Sequence, residues 1–418
     1  MRLFNRFARD ERGHVLVMAG LMLPIAIATV AAAVSYSSGS ATRTSMQQAL
    51  DGAVLAGVSS SDLSDPATAI ALATKVFENN VGKFARSLAK EISAEFNVDN
   101  GVLYGRASGA VANPMGGVIG ARVTLVGVRS AATKQSIPIC ILGLNAFDNG
   151  AFDVNGGPSF NADCAVQANS TGSSAMSQEG KSAVVKAKIF NVTGGQKTET
   201  YDPPPNVGAK KIADPYASLP FPAYAACDDK NPKGLEIKDA VTLSPGTYCG
   251  GIHVSGDGAK LTLQPGIYVM VDGPFWVSSG TVTGDRVTIA FTGKGSTLQV
   301  WGSSVVNLTS PTSGTYTNMQ FVQDRDSDEG RGLWASVGGN SGGEDSTAKL
   351  TYDGVAYFPN QNFWVFGKAS MTANSPSVTV VAGKFWTQGN ATVNVTANNT
   401  RKLAVTGPVS TYGALLVH

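Results

Sequence analysis

The sequence predicts a membrane-anchored α+β protein: one N-terminal transmembrane helix, a helical segment, then a mainly β chain ending in a right-handed parallel β-helix. Three observations carry that prediction. An uncharged run from Val15 to Val34 is followed by Gly-, Ser-, Thr- and Asn-rich strand-like segments, and a hexapeptide at Leu243 recurs at Leu263. The chain has 418 residues, enough for two or three folding units rather than one core.

The run Val15–Val34 reads VLVMAGLMLPIAIATVAAAV. Twenty residues at ~1.5 Å each give ~30 Å of helix, the thickness of a bilayer core. Pro24 lies inside it, which a membrane helix tolerates. Arg2, Arg6, Arg9 and Arg12 precede the run, and the first charge after it is Arg43. The positive-inside rule then keeps residues 1–14 cytoplasmic as a basic tail and carries the remainder across. A cleaved signal peptide is the competing reading, because Ala31, Ala32 and Ala33 offer small residues for cleavage. The run is longer than the usual signal core of ~7–15 residues, which favours a retained anchor.

Residues 35–96 read as a helical stalk. Met46, Leu50, Ala53 and Gly57 fall at helical spacing, so the anchor helix either continues past Gly39 or resumes after it. A second helical pattern runs from Ala67 to Ile92, with Asp65 as a cap, Pro66 near the start, and Ile70, Val76, Phe77, Val81, Phe84 and Leu88 on one face. Residues 97–202 form a β-rich region, with alternating stretches such as VTLVGVRS at 123–130. The tract 203–226 holds six of the 19 prolines, fits neither a helix nor an inner strand, and is taken as a linker.

From 227 to 418 the chain repeats. LSPGTY at Leu243–Tyr248 returns as LQPGIY at Leu263–Tyr268, and strand-like runs end on Gly256, Gly280, Gly302, Gly367 and Gly389. A period near twenty with β-branched runs and glycine turns indicates stacked coils. A β-sandwich is the alternative; it gives similar strand spacing without the repeated hexapeptide.

The stretch RDERGHVLVMAGLMLPIAIATVAAAV, with Ala41-Thr42-Arg43-Thr44 and Gln47, Ala49, Leu50, Asp51 and Ala53 after it, resembles the N-terminal module of TadG-like proteins of the Flp (Tad) pilus-assembly system. LSPGTYCGGIHVSG, FVQDR, AYFPNQNFWVFG and the DPYASLPFP of the Pro-rich tract resemble later parts of the same proteins. One departure is SYSS at Ser35–Ser38, where such proteins often carry an aspartate before the tyrosine. The resemblance implies a bacterial inner-membrane protein with its bulk in the periplasm, non-enzymatic, with Flp/Tad assembly components as partners.

The candidate site residues fall into three groups. The chain has four cysteines; in an exported chain an even count favours disulfides, and Cys140 with Cys164 and Cys227 with Cys249 are the expected pairs. Trp276, Trp301, Trp364 and Trp386 recur near strand ends, three of them in Phe-Trp pairs whose neighbours must face opposite sides. The outward rings are candidates for binding a glycan or a partner protein; filling of crevices is the structural alternative. Asp324, Asp326 and Asp328 resemble a calcium loop, but Glu329 and Ala335 break the EF-hand pattern, and a solvated acidic loop is the simpler reading.

No catalytic residues, metal site or cofactor are expected. His14, His253 and His418 are dispersed, and no phosphate loop, dinucleotide fingerprint or serine-hydrolase elbow is present. A polysaccharide lyase or hydrolase needs two placed carboxylates, for which Asp324, Asp326, Asp328, Glu329, Glu344 and Asp345 are the acids at hand. A net charge of +2 with 15% charged residues gives no electrostatic case for nucleic acid.

Overall fold

The computed structural model describes residues 13–60, 65–82, 89–112, 122–180, 182–198, 200–228, 233–338, 347–375, 378–397 and 410–417. The expectations placed on Arg2, Arg6, Arg9, Arg12, Phe84, Leu88, Glu344, Asp345 and His418 lie outside them. Two compact units are present, residues 1–136 with 412–418, and residues 137–411.

The first unit is built on α1 (Gly13–Ser60), a single 48-residue helix that passes through Pro24 and Gly39 without a break. Its apolar half is bare: Leu21 is 69% exposed and Ile25 is 62% exposed. Its later half buries Met46, Leu50, Ala53, Val54 and Val58 in a core with Leu103, Ala107, Val111, Val126 and Val128. Among the described residues, one helix is therefore long and apolar enough to cross a membrane by length and composition, and its C-terminal part is a packing element.

α2 (Pro66–Asn80) begins on proline, as the sequence predicts, and buries Ala69, Ala73 and Phe77. It ends twelve residues before Ile92, the expected limit. Ala89–Asp99 is instead the strand β1, paired antiparallel with β2 (Val102–Ala112). The two-residue turn Asn100-Gly101 has φ of 48° and 75°, the geometry of a tight hairpin turn. Hydrogen bonding to β2 thus overrides the helical spacing that Ile92 shares with α2. β3 (Val123–Gly143) adds to β2 antiparallel, and its last residues enter the second unit.

The second unit is made of parallel strands that pass in rotation among three sheets. The strands 235–237, 240–243 and 246–249 occupy the second, third and first sheets, and 252–254, 260–263 and 266–271 repeat the order beside them. The two hexapeptides sit at the same corner, where Tyr248 and Tyr268 stack with centroids 5.8 Å apart. Run-ending glycines stand where the chain turns out of the second sheet; Gly280 and Gly389 have φ of 82° and 76°, which a side chain adopts only with strain.

Strand order departs from chain order. The strands between 139 and 207 stack beyond the last strands of the C-terminal run: Val380–Ala382 pairs with β3, Phe385–Gly389 with Phe152–Gly156, and Thr392–Ala397 with Ser159–Ala162. Inside this junction Phe363, Phe385 and Phe152 stack in succession at 5.8 and 5.6 Å. Strands from both sides of the Pro-rich tract therefore share the same sheets.

Asn206–Val207 at the start of that tract is the end strand of the first sheet, and the chain after it lies along the outer face of that sheet. Asn169 accepts from the Ile212 N–H, Tyr357 donates to Asp214 at 2.8 Å, Tyr316 donates to the Pro220 carbonyl at 2.9 Å, and the Ala225 N–H donates to Thr247. Arg325 pairs with Asp214 and donates to the Ala217 carbonyl. Tyr216 and Leu219 join an apolar layer with Val269, Val322 and Tyr357. Covered on both faces, strands such as Val287–Thr292 and Met319–Gln323 are buried throughout.

Candidate functional site

Burial alternates along the strands of the second sheet, which sends every other side chain outward. Phe275, Phe363 and Phe385 face the core and are fully buried, while Trp276, Trp364 and Trp386 beside them are half-buried on the outer face. Register places those outward positions in one row. From one end it runs Glu236, His253, Trp276 and Gln299. It continues through Ser336, Trp364 and Trp386, and reaches Asp153, Ser177 and Lys197 at the other end.

The rings are in mutual contact. His253 stacks on Trp276 with centroids 3.8 Å apart and planes 5° from parallel. Trp301 meets Trp276 edge-on at 5.8 Å and donates to Ser336 at 2.8 Å. Trp364 stacks on Phe366 at 4.1 Å, and Trp386 donates to the Gly150 carbonyl. Trp334, outside the four tryptophans expected from the sequence, packs on both Trp364 and Trp386 at 5.8 and 4.9 Å. The indole N–H groups of Trp276 and Trp364 have no acceptor.

The row also carries an acid that the sequence reading did not single out. Asp153 is 6% exposed, and accepts from Ser177 at 2.6 Å and Asn155 at 2.7 Å. Burial pushes its carboxyl above the usual range, the two hydrogen bonds pull it back, and nearby Glu179 raises it further. The lateral neighbour of Asp153, Trp386, is the second residue of the late strand Phe385–Gly389 and is 233 positions away in the chain. His253 is held below its ordinary value by burial, opposed by Glu236.

The other candidates lie elsewhere. Cys140–Cys164 and Cys227–Cys249 are bonded, with Cα atoms 5.7 and 5.8 Å apart, and the second ties the end of the Pro-rich tract to the strand Gly246–Cys249. Two of the three loop aspartates engage different partners through their carboxylates. Asp324 accepts from Thr292 and from the Asp326 N–H, and Asp328 pairs with Arg331 at 3.0 Å. No group of three or more His, Cys, Asp or Glu side chains suited to a metal ion stands among the described residues.

The architecture defines a chain with one apolar N-terminal helix, a small packed domain on that helix, and a long parallel β unit. Residues 13–60, which coincide with α1, match the family of putative Flp pilus-assembly TadE/G-like proteins. The chain thus carries a TadE/G-like Flp pilus-assembly domain at its N-terminal end, and that match supports a pilus-related role. No curated protein and no solved structure matches the chain.

Proposed function

We propose that this chain is a non-enzymatic envelope protein that serves assembly or anchoring of a Flp/Tad-type pilus from the bacterial inner membrane. α1 spans the bilayer once, the N-terminus is cytoplasmic, and the rest is periplasmic. The observation that carries the reading is the coincidence of the TadE/G-like match with a helix that is bare in its apolar half and packed in its later half. A bare apolar surface of that length is stable in lipid and a liability in water. Both disulfides suit an oxidising compartment.

We read the rotation of strands among three parallel sheets as a right-handed parallel β-helix, a rigid spacer and scaffold suited to contact with other assembly components. Of the acids weighed for catalysis, Asp324 bonds to a threonine and a backbone N–H and Asp328 to an arginine, which favours a structural role for those two.

An in-frame deletion in the source bacterium, with pili counted by electron microscopy and restored by complementation, tests the proposal. Loss of pili with unchanged pilin is the expected result, and a normal pilus count would sink it. A second reading, attachment to a glycan or surface, is favoured by one observation: two clusters of half-buried rings on the outer face of the second sheet, His253 with Trp276 and Trp301, and Trp334 with Trp364 and Trp386.

A further inference from the structure

We propose that the outer row of the second sheet binds a single extended, uncharged glycan strand laid across the β-strands, with Trp276, Gln299 and Trp364 as its central contacts. The inference rests on the second reading above and names its ligand and its residues. Hydrogen-bonded strands repeat every ~4.8 Å, so one outward side chain per strand sets contacts at that pitch. The advance of one sugar along an extended glycan is close to it, so successive sugars meet successive strands in step.

The chemistry of the row fits such a ligand. Trp276 stacks on His253, its neighbour in the row, and Trp364 on Phe366, two residues further along the chain, which holds each ring in place. Three strand steps, ~14 Å, separate them, and register places Gln299 and Ser336 between. Apolar ring surface suits the C–H faces of sugars. The amide of Gln299 offers both a donor and acceptors for hydroxyls. The indole N–H groups of Trp276 and Trp364 are buried without a protein acceptor, so a hydroxyl or acetamido oxygen reaches them only when the rings turn.

Charge selects against polyanions. From His253 to Trp386 the row has no fixed charge, Glu236 and Lys197 lie at its two ends, and nearby Lys384 is paired with Asp148 at 2.8 Å. A row one side chain wide along a ten-stranded sheet suits a linear polymer better than a broad protein face.

The full chain, purified in detergent, is titrated with cellohexaose, chitohexaose and polygalacturonate, followed by tryptophan fluorescence and calorimetry. A neutral hexamer is expected to saturate, with its dimer roughly tenfold weaker or worse. Trp276→Ala and Trp364→Ala should each weaken it at least roughly tenfold at unchanged melting temperature. Should either fail to fold, Trp276→Phe, Trp364→Phe and Gln299→Ala keep the packing and should weaken it several-fold. Absence of saturable binding, equal binding by all variants, or binding of polygalacturonate alone overturns the proposal. Pilus counts play no part in this titration, so failure here and failure of the pilus role are seen apart.

Discussion

Replacing Tyr216 by alanine separates a structural strap from a spacer. Tyr216 is fully buried on the first sheet, its ring 5.4 Å from that of Tyr357 and 70° to it, and its hydroxyl has no partner. Truncating a large buried aromatic costs about 3–5 kcal/mol through lost burial and the cavity left behind. The orphaned hydroxyl already costs about 1–3 kcal/mol, and the variant is relieved of it. The net loss is therefore about 2 kcal/mol. At ~2–4 °C per kcal/mol for a unit of this size, the melting temperature should fall by about 4–8 °C. Tyr216→Phe keeps the ring and drops the hydroxyl, so it should melt at or slightly above the parent. Circular dichroism of the detergent-solubilised full chain reads both variants. If the alanine variant melts within about 1 °C of the parent, as surface changes do, the tract contributes no packing and the argument fails.

Three further outcomes follow from the same geometry. The folded carboxyl of Asp153 holds its proton more tightly than the unfolded one, so stability is lost as pH rises from the unfolded value through the folded one. Asp153→Asn should then raise the melting temperature at pH 7 by more than at pH 4, and an equal shift at both would count against burial as the cause. Removing Cys227–Cys249 by paired serines opens a loop whose ends are 22 residues apart, and should cost about 3 kcal/mol in the chain-entropy model. Limited proteolysis should then cut first between 206 and 228. Phe385→Ala at the junction of the two runs should lower stability by about 3–5 kcal/mol, read from the denaturant midpoint.

Much of this was legible because local chemistry decides it. The length of Val15–Val34, the alternation at each Phe-Trp pair and the repeated LSPGTY hexapeptide needed no distant partner, and the structure has an apolar helix, inward Phe beside outward Trp, and matching corners there. Where partners are remote, the sequence is mute. Proline content excludes a helix or inner strand from 203–226, but says nothing against lying flat on a finished sheet, where Asp214 meets Arg325 and Tyr357. The helical spacing through Ile92 yielded to a hairpin whose Asn-Gly turn was itself a readable signal. Trp334 takes its place from Trp364 and Trp386, 30 and 52 positions on, and Asp153 draws its setting from Trp386 across the junction.

The route of the strap explains how one chain can build the stack from its middle. β3 enters beside what becomes the strand Val380–Ala382, and the strands that follow extend the sheets outward to Asn206–Val207. The strap then returns along the first sheet to Thr247, so the later strands begin at the far end and grow back toward β3. They close on Phe152–Gly156 and Ser159–Ala162 only at Phe385–Ala397, across separations such as the 233 residues between Asn161 and Asn394. Until then the inner edges of the early strands are unpaired, the kind of edge that invites wrong pairing. A strap with few backbone donors, held by side chains at Asn169, Tyr357, Tyr316 and Thr247, can span that distance without competing for those edges. Its prolines are then requirements of the topology rather than marks of a boundary.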